Sequence, residues 1–217
     1  TKKCVVQMID LKLSSIYENP LVDGKYLPTD LDAIGDEIIE RSSEIFPWDD
    51  KLNDYDYMSG SWRTYHDYTC IEVFPKLKFI FGCIAEALEL VGNDYQDYYF
   101  KSWINVWPKG KTLDPHKHYG DWHGNYVIRD TGTETYYASS NDPFSRVITP
   151  IPNYNGHFVM MPGHIWHWGQ RNTSDVLRIS TAFNLSTESQ LKEEEQDNRN
   201  GRGDKLRDIV LPLKDYL

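Results

Sequence analysis

The sequence predicts a mainly β chain with supporting helices, an α+β protein built on a sandwich or barrel rather than a parallel α/β sheet. Three observations carry this. The 217 residues include 7 Trp, 15 Tyr and 8 Phe, a load that favours strands and a crowded core over a helical bundle. The second half is a series of short β-rich runs punctuated by Gly, Pro, Asn and Asp, the spacing of sandwiches and barrels. The apolar positions that recur with a helical period lie in the first half.

In chain order, Thr29 with Asp32 three residues on reads as a helix start, and Leu31, Ile34, Ile38 and Ile45 keep a roughly helical period until Pro47. A second helix is expected from Pro75, a favoured first-turn residue, to Val91, with Gly92 and Asn93 as the stop. Its stripe of Leu77, Ile80, Phe81, Ile84, Leu88 and Val91 reads as a face packed on a sheet. Strands are then expected in YYFKSWINVW, GNYVIRD, TETYYAS, SRVITPIP, GHFVMMPG and VLRISTAFNLS. From Glu188 the chain becomes highly polar, which predicts a mobile segment. The apolar LRDIVLPL near the end is expected to dock back on the body. We therefore expect one domain over residues 1–217, with helical support over about 1–95, a β core over about 96–187 and a polar extension over 188–217.

The formal net charge of −10 argues against nucleic acid or an anionic membrane as partner, since both need clustered Lys and Arg. No apolar run approaches the roughly 20 residues that cross a bilayer, and TKKCVVQMIDLK has no signal-peptide pattern. Cys4, Cys70 and Cys83 are widely spaced and odd in number, which reads as reduced structural thiols. The expectation is a cytoplasmic protein; the sequence leaves room for a homodimer.

Six of the seven histidines fall between His116 and His167. Clustering alone is weak evidence for a metal, although neutral imidazole is its commonest protein ligand. Two patterns sharpen it. In DPHKHYGDWHGNYVI, His116 and His118 are two apart beside a strand, a spacing that sends both rings to one face. In MPGHIWHWGQRNTSDVLRIS, His167 closes one strand, and Arg178 and Ser180 share a face of the next. His164 and His167 are three apart and so face opposite ways in a strand; the spacing to Arg178 makes His167 the inward candidate. A buried Arg offers a planar fork that takes a carboxylate in bidentate fashion. His123 and His157 read as surface or packing residues, and Trp103, Trp107, Trp122, Trp166 and Trp168 as wall.

The stretch from Trp103 to Asn184 carries WINV at 103–106, HKHYG at 116–120, GNY at 124–126, MPGHIWH ending at His167 and RISTAFN from Arg178. In these motifs it resembles the double-stranded β-helix, or jelly-roll, core of Fe(II)/2-oxoglutarate-dependent oxygenases, above all the small ones of bacteria and phages. The resemblance covers about 80 residues and implies Fe(II) as metal and 2-oxoglutarate as co-substrate. It also implies His167 as the distal ligand and Arg178 as the co-substrate anchor, helped by Ser180 or Tyr126. Asn105 could face the same pocket or only tie a strand end. The activity implied is a dioxygenase, most simply a hydroxylase of a small molecule or peptide, releasing succinate and CO₂. The departure is at the proximal ligands, where the superfamily mostly shows His-x-Asp or His-x-Glu. Here either His116 and His118 both bind, or Asp121 supplies a carboxylate while one of them turns away, or water or substrate completes a two-histidine site. The alternative from another class is a cupin-like metal or small-ligand binding protein, or an inactive oxygenase-fold module.

Overall fold

The computed structural model describes residues 9–41, 62–63, 70–138, 147–199 and 211–217. The predicted strands form two antiparallel sheets, because each run alternates its faces and is stopped by a turn residue. The major sheet runs β1 (Asp10–Ile16), β2 (Asn19–Lys25), β9 (His157–Pro162), β6 (Trp122–Arg129), β11 (Arg178–Thr187), β4 (Tyr98–Trp107) and β12 (Leu211–Pro212), with β3 (Trp62–Arg63) also pairing with β4. The minor sheet runs β5 (Leu113–His116), β10 (Trp166–Gly169), β7 (Glu134–Ala138) and β8 (Ile148–Pro152).

Helices α1 (Leu31–Glu40), α2 (Cys70–Val73) and α3 (Phe79–Leu90) supply the support. Alternate residues of the major sheet, among them Phe100, Ile104, Tyr126, Phe158 and Phe183, form the main core with Leu77, Ile80, Phe81, Ile84 and Leu88. Burying side chains of this size stabilises by about 1.5–3 kcal/mol each. Gly124 is required here: a Cβ on it would meet Phe183 Cζ at 2.3 Å and Val159 O at 2.4 Å. The opposite face meets the minor sheet through a smaller cluster that includes Ile16, Tyr137, Val159, Met161 and Ile165. With both faces of the major sheet covered, β9 is buried along its whole length, the pattern of a central strand.

Three expectations are modified. The N-terminal region is not all helical: β1 and β2 form a hairpin that extends the major sheet through β9. Its turn places Tyr17 at φ 50° and Glu18 at φ 64°, so a left-handed turn is made without Gly, Asn or Asp, and the usual hairpin signal is missing. The first helix starts after Asp30, with no side-chain cap hydrogen bond, and ends at Glu40; Ile45 and Pro47 lie outside the described residues. The polar run opens as helix α4 (Glu188–Arg199). The second helix opens as a 3₁₀ turn at Pro75–Lys78 and stops before Gly92 at φ 76°. Leu211–Pro212 pairs with β4 and Leu213 is fully buried, so the last three residues of LRDIVLPL dock as expected; residues 206–210 lie outside the described residues. Cys70 and Cys83 are buried free thiols. Burial pushes them up to about 11 and about 12, and Cys70 lies 3.0 Å from Ser102 Oγ and 3.2 Å from Thr181 Oγ1. Cys4 lies outside the described residues.

Candidate metal centre and anion pocket

The space between the two sheets narrows to a pocket whose wall is set by strand parity. From the major sheet it takes Trp103, Asn105 and Trp107, His123 and Asn125, Met161, and Arg178, Ser180 and Ala182. From the other side come Leu113, His116, Thr135, Tyr137, His167 and Gly169, with His118 from the loop after β5. Ser180 lies opposite Asn105, and Arg178 opposite Trp107, across the β11–β4 ladder.

His116 and His167 are directly paired across β5 and β10, with ring centres 4.4 Å apart. His118 joins them at 4.9 Å from His116 and 5.1 Å from His167. One nitrogen from each of the three lies within 4.8 Å of the others, a span that a single ion with nitrogen bonds of about 2.1 Å can bridge after small adjustments. The Nδ1 atoms of His116 and His167 lie 2.8 Å from Asp114 O and 3.1 Å from Ile165 O. A carbonyl only accepts, so Nδ1 carries the proton and the Nε2 lone pair is left for a metal. Burial, with His123 and His116 adding to it, holds His167 well below the usual histidine range, and a neutral imidazole is the ligating form. The donor set therefore fits a divalent transition metal. His164 is exposed on the turn before β10.

The carboxylate of Asp121 is turned the other way. Its Oδ1 accepts from Gln190 Nε2 of α4 at 2.5 Å, and its main-chain N donates to Leu185 O at 3.0 Å. Gly120, at φ 99°, reverses the chain just before it. Asp121 is thus not among the three converging groups.

At the other end of the pocket Arg178 is 4% exposed. Among the described residues its Nε has no hydrogen-bond partner. Among the described residues it makes no ion pair, and its guanidinium stands 5.6 Å from the Trp107 ring. Burial pushes it down to about 10, against the attraction of Asp130 and Tyr137. Trp107 Nε1 and Tyr137 OH are likewise buried without a partner. Three donors lining one pocket thus lack an acceptor, and an unsatisfied buried donor costs about 1–3 kcal/mol, more when charged. An acceptor bound in the pocket would offset this cost for the donors it reaches.

Tyr126 is placed on the opposite face of β6, where its OH donates to Tyr26 O at 2.8 Å and its ring packs edge-on to Phe79. The tyrosine facing the pocket is Tyr137, paired with His167 across β7 and β10. Sequence reasoning missed Tyr137 and also His123, which lies in the pocket wall. The strand in TETYYAS was legible, but which of two adjacent tyrosines turns inward depends on register. Trp122 belongs to the helix-side core, and Trp166 and Trp168 alternate with the inward His167.

No protein-family model matches the chain, and no curated protein matches it. Solved structures do share its fold. A prolyl-4-hydroxylase of Pseudomonas putida superposes with TM-score 0.52 at 15% identity, over 78% of this chain and 94% of that one. The non-haem α-ketoglutarate-dependent epimerase SnoN of nogalamycin biosynthesis gives 0.58 at 13%, over 77% and 76%. A prolyl hydroxylase of Trichoplax adhaerens, in complex with a peptide fragment of the hypoxia inducible factor oxygen degradation domain, gives 0.58 at 10%, over 80% and 86%. The chain has the jelly-roll fold of non-haem 2-oxoglutarate enzymes. At these identities the likeness is one of fold, and the jelly roll leaves the chemistry to the residues inside it. SnoN has also been solved with Fe³⁺, α-ketoglutarate and nogalamycin RO. Among the described residues no helix is long and apolar enough to cross a membrane.

Proposed function

We propose that the chain is an Fe(II)- and 2-oxoglutarate-dependent dioxygenase, most simply a hydroxylase of a small molecule or a peptide side chain. One observation carries the reading: a buried Arg178, without an ion pair among the described residues, lines the same pocket as three converging histidines. A dianion with a keto-acid end and a distant carboxylate answers both features. His116, His118 and His167 would hold the iron, and Arg178, Tyr137 and Trp107 the far carboxylate, with Ser180 and Asn105 completing a polar wall. Iron and keto acid together would supply the reduction of O₂, turning 2-oxoglutarate into succinate and CO₂ as a substrate C–H becomes C–OH. The protein's own work is to orient the two co-reactants and exclude water, for which Trp103, Trp107 and Met161 provide apolar wall. Three neutral ligands leave the metal more positive than a triad containing a carboxylate, which favours an anionic chelator. Epimerase and hydroxylases share this fold, so the outcome depends on which substrate hydrogen faces the metal.

The test is anaerobic binding of 2-oxoglutarate to the Fe(II)-loaded protein, followed by O₂-dependent succinate release measured across amino acids, peptides and small metabolites. Metal binding through the histidines with no keto-acid binding would refute the oxygenase reading and leave the cupin-like alternative.

A further inference from the structure

A fourth histidine lies against the triad. The rings of His123 and His118 are stacked 3.7 Å apart with planes 3° from parallel, and His123 is also 4.7 Å from His167. We infer that His123, held by Asn184, is a positioning residue that braces the ring of His118 and so sets the third ligand of the metal centre. This rests on the metal-site reading above.

His123 meets the one ligand of the three that a loop carries. His116 and His167 lie in paired strands with Nδ1 on a main-chain carbonyl. His118 lies two residues past the end of β5, between exposed Lys117 and Tyr119, its main chain tied by a hydrogen bond to Gly163 O at 2.9 Å. His123 belongs to β6, a strand paired on both sides. It lies opposite Asn184 of β11 and Met161 of β9. It is 4% exposed, and its Nδ1 lies 3.0 Å from Asn184 Oδ1, which fixes the rotation of the ring. A rigid central strand thus presents a flat imidazole to the ligand carried by a loop. Trp103, 5.5 Å from His118 and 6.1 Å from His123, closes the same stack.

The geometry also separates bracing from ligation. An imidazole lone pair lies in the ring plane. With centres only 3.7 Å apart and planes 3° from parallel, the rings of His118 and His123 lie face to face and their lone pairs run in separate planes. His118 and His167, 5.1 Å apart with planes 17° from parallel, are not stacked so closely. His123 is accordingly outside the group whose nitrogens lie within 4.8 Å of one another. Metal on His118 would draw electron density from that ring, and the π face of His123 is attracted to an electron-poor neighbour. Groups behind metal ligands commonly change metal affinity 10- to 100-fold when removed.

The experiment is titration of the full chain with Co(II), read by calorimetry and by the visible spectrum of the bound ion, with no turnover involved. His123→Ala should weaken Co(II) binding by about 10-fold or more and change the spectrum. His123→Phe, which keeps a flat ring, should retain most of the affinity. Asn184→Ala should fall between the two. In a His118→Ala background, adding His123→Ala should cost nothing further, because a brace acts through the residue it braces. The inference is overturned if His123→Ala binds Co(II) with the parent's affinity and spectrum. It is overturned also if His123→Phe is as weak as His123→Ala and the loss persists without His118, for then His123 is itself a ligand. A parental Kd in both His116→Ala and His167→Ala would instead remove the metal centre, and the brace with it.

Discussion

Replacing Arg178 with Met should make the ligand-free protein more stable while cutting most of its response to 2-oxoglutarate. The guanidinium is held down from 12.5 to about 10, chiefly by burial. At about 1.4 kcal/mol per pH unit, charge at this site is opposed by about 3 kcal/mol, and the group is still protonated at neutral pH. No ion pair among the described residues offsets this. Replacing such a charge by an apolar chain of similar volume is often neutral or stabilising by about 1–4 kcal/mol, so Arg178→Met should gain roughly 1–3 kcal/mol, or about 2–4 °C in Tm for each kcal/mol. The parent, loaded with a redox-inert divalent metal, should gain about 2.7 kcal/mol from 2-oxoglutarate at 100 times its Kd. Truncating one partner of a buried charge pair costs about 2–5 kcal/mol, so the same ligand concentration should stabilise the variant by less than about 1 kcal/mol. Thermal unfolding with and without the keto acid reads both effects. A variant that keeps the parental ligand shift, or that loses stability by several kcal/mol without ligand, would refute the argument, because Arg178 would then be satisfied by the protein alone.

The remaining predictions follow from neighbouring geometry. Alanine at His116, His118 or His167 should each cost 10-fold or more in Fe(II) affinity with the far-UV spectrum unchanged, whereas Asp121→Asn, whose parent carboxylate faces Gln190, should leave the calorimetric Kd near that of the parent. Tyr137→Phe should weaken 2-oxoglutarate binding by about 0.5–1.5 kcal/mol; Tyr126→Phe, which removes the bond to Tyr26 O, should lower Tm and leave keto-acid binding alone. His157 is buried against Tyr154, with neither ring nitrogen hydrogen-bonded among the described residues, and burial pushes it down to about 4. Its folded value thus lies below the unfolded value of about 6.5, so the unfolded chain takes up the proton first. Stability should be at its full value above pH 6.5 and fall by about 3 kcal/mol as the pH drops towards 4. Urea unfolding of parent and His157→Phe at pH 7 and pH 4.5 checks this, and an equal loss in both proteins would exclude His157 as the cause.

How much of the molecule was legible depended on whether the information was local. The strands of the second half were readable because alternation and turn residues are properties of consecutive positions. The same holds for the buried stripe of α3; for His164 and His167 alternation only set the two on opposite faces, and the spacing to Arg178 chose His167. The β1–β2 hairpin was not legible, since its turn places Tyr17 and Glu18 in the left-handed region without the Gly, Asn or Asp that usually signals it.

Inside the site the division is sharper. The sequence by itself determined that His116 and His118 share a neighbourhood and that His167 and Arg178 stand eleven residues apart on successive strands. Period-two alternation says which residues share a face, but it leaves open which face is inside and which residues of other strands stand opposite. The tertiary structure decided those questions. Pairing β10 with β5 set His116 against His167, and pairing it with β7 brought Tyr137 to the pocket in place of Tyr126. The turn at Gly120 sent Asp121 towards α4. The register of β6 against β11 and β9 put His123 flat against His118. Each of these depends on contacts between segments distant in the chain, where the side chains that must fit together leave no pattern among consecutive residues.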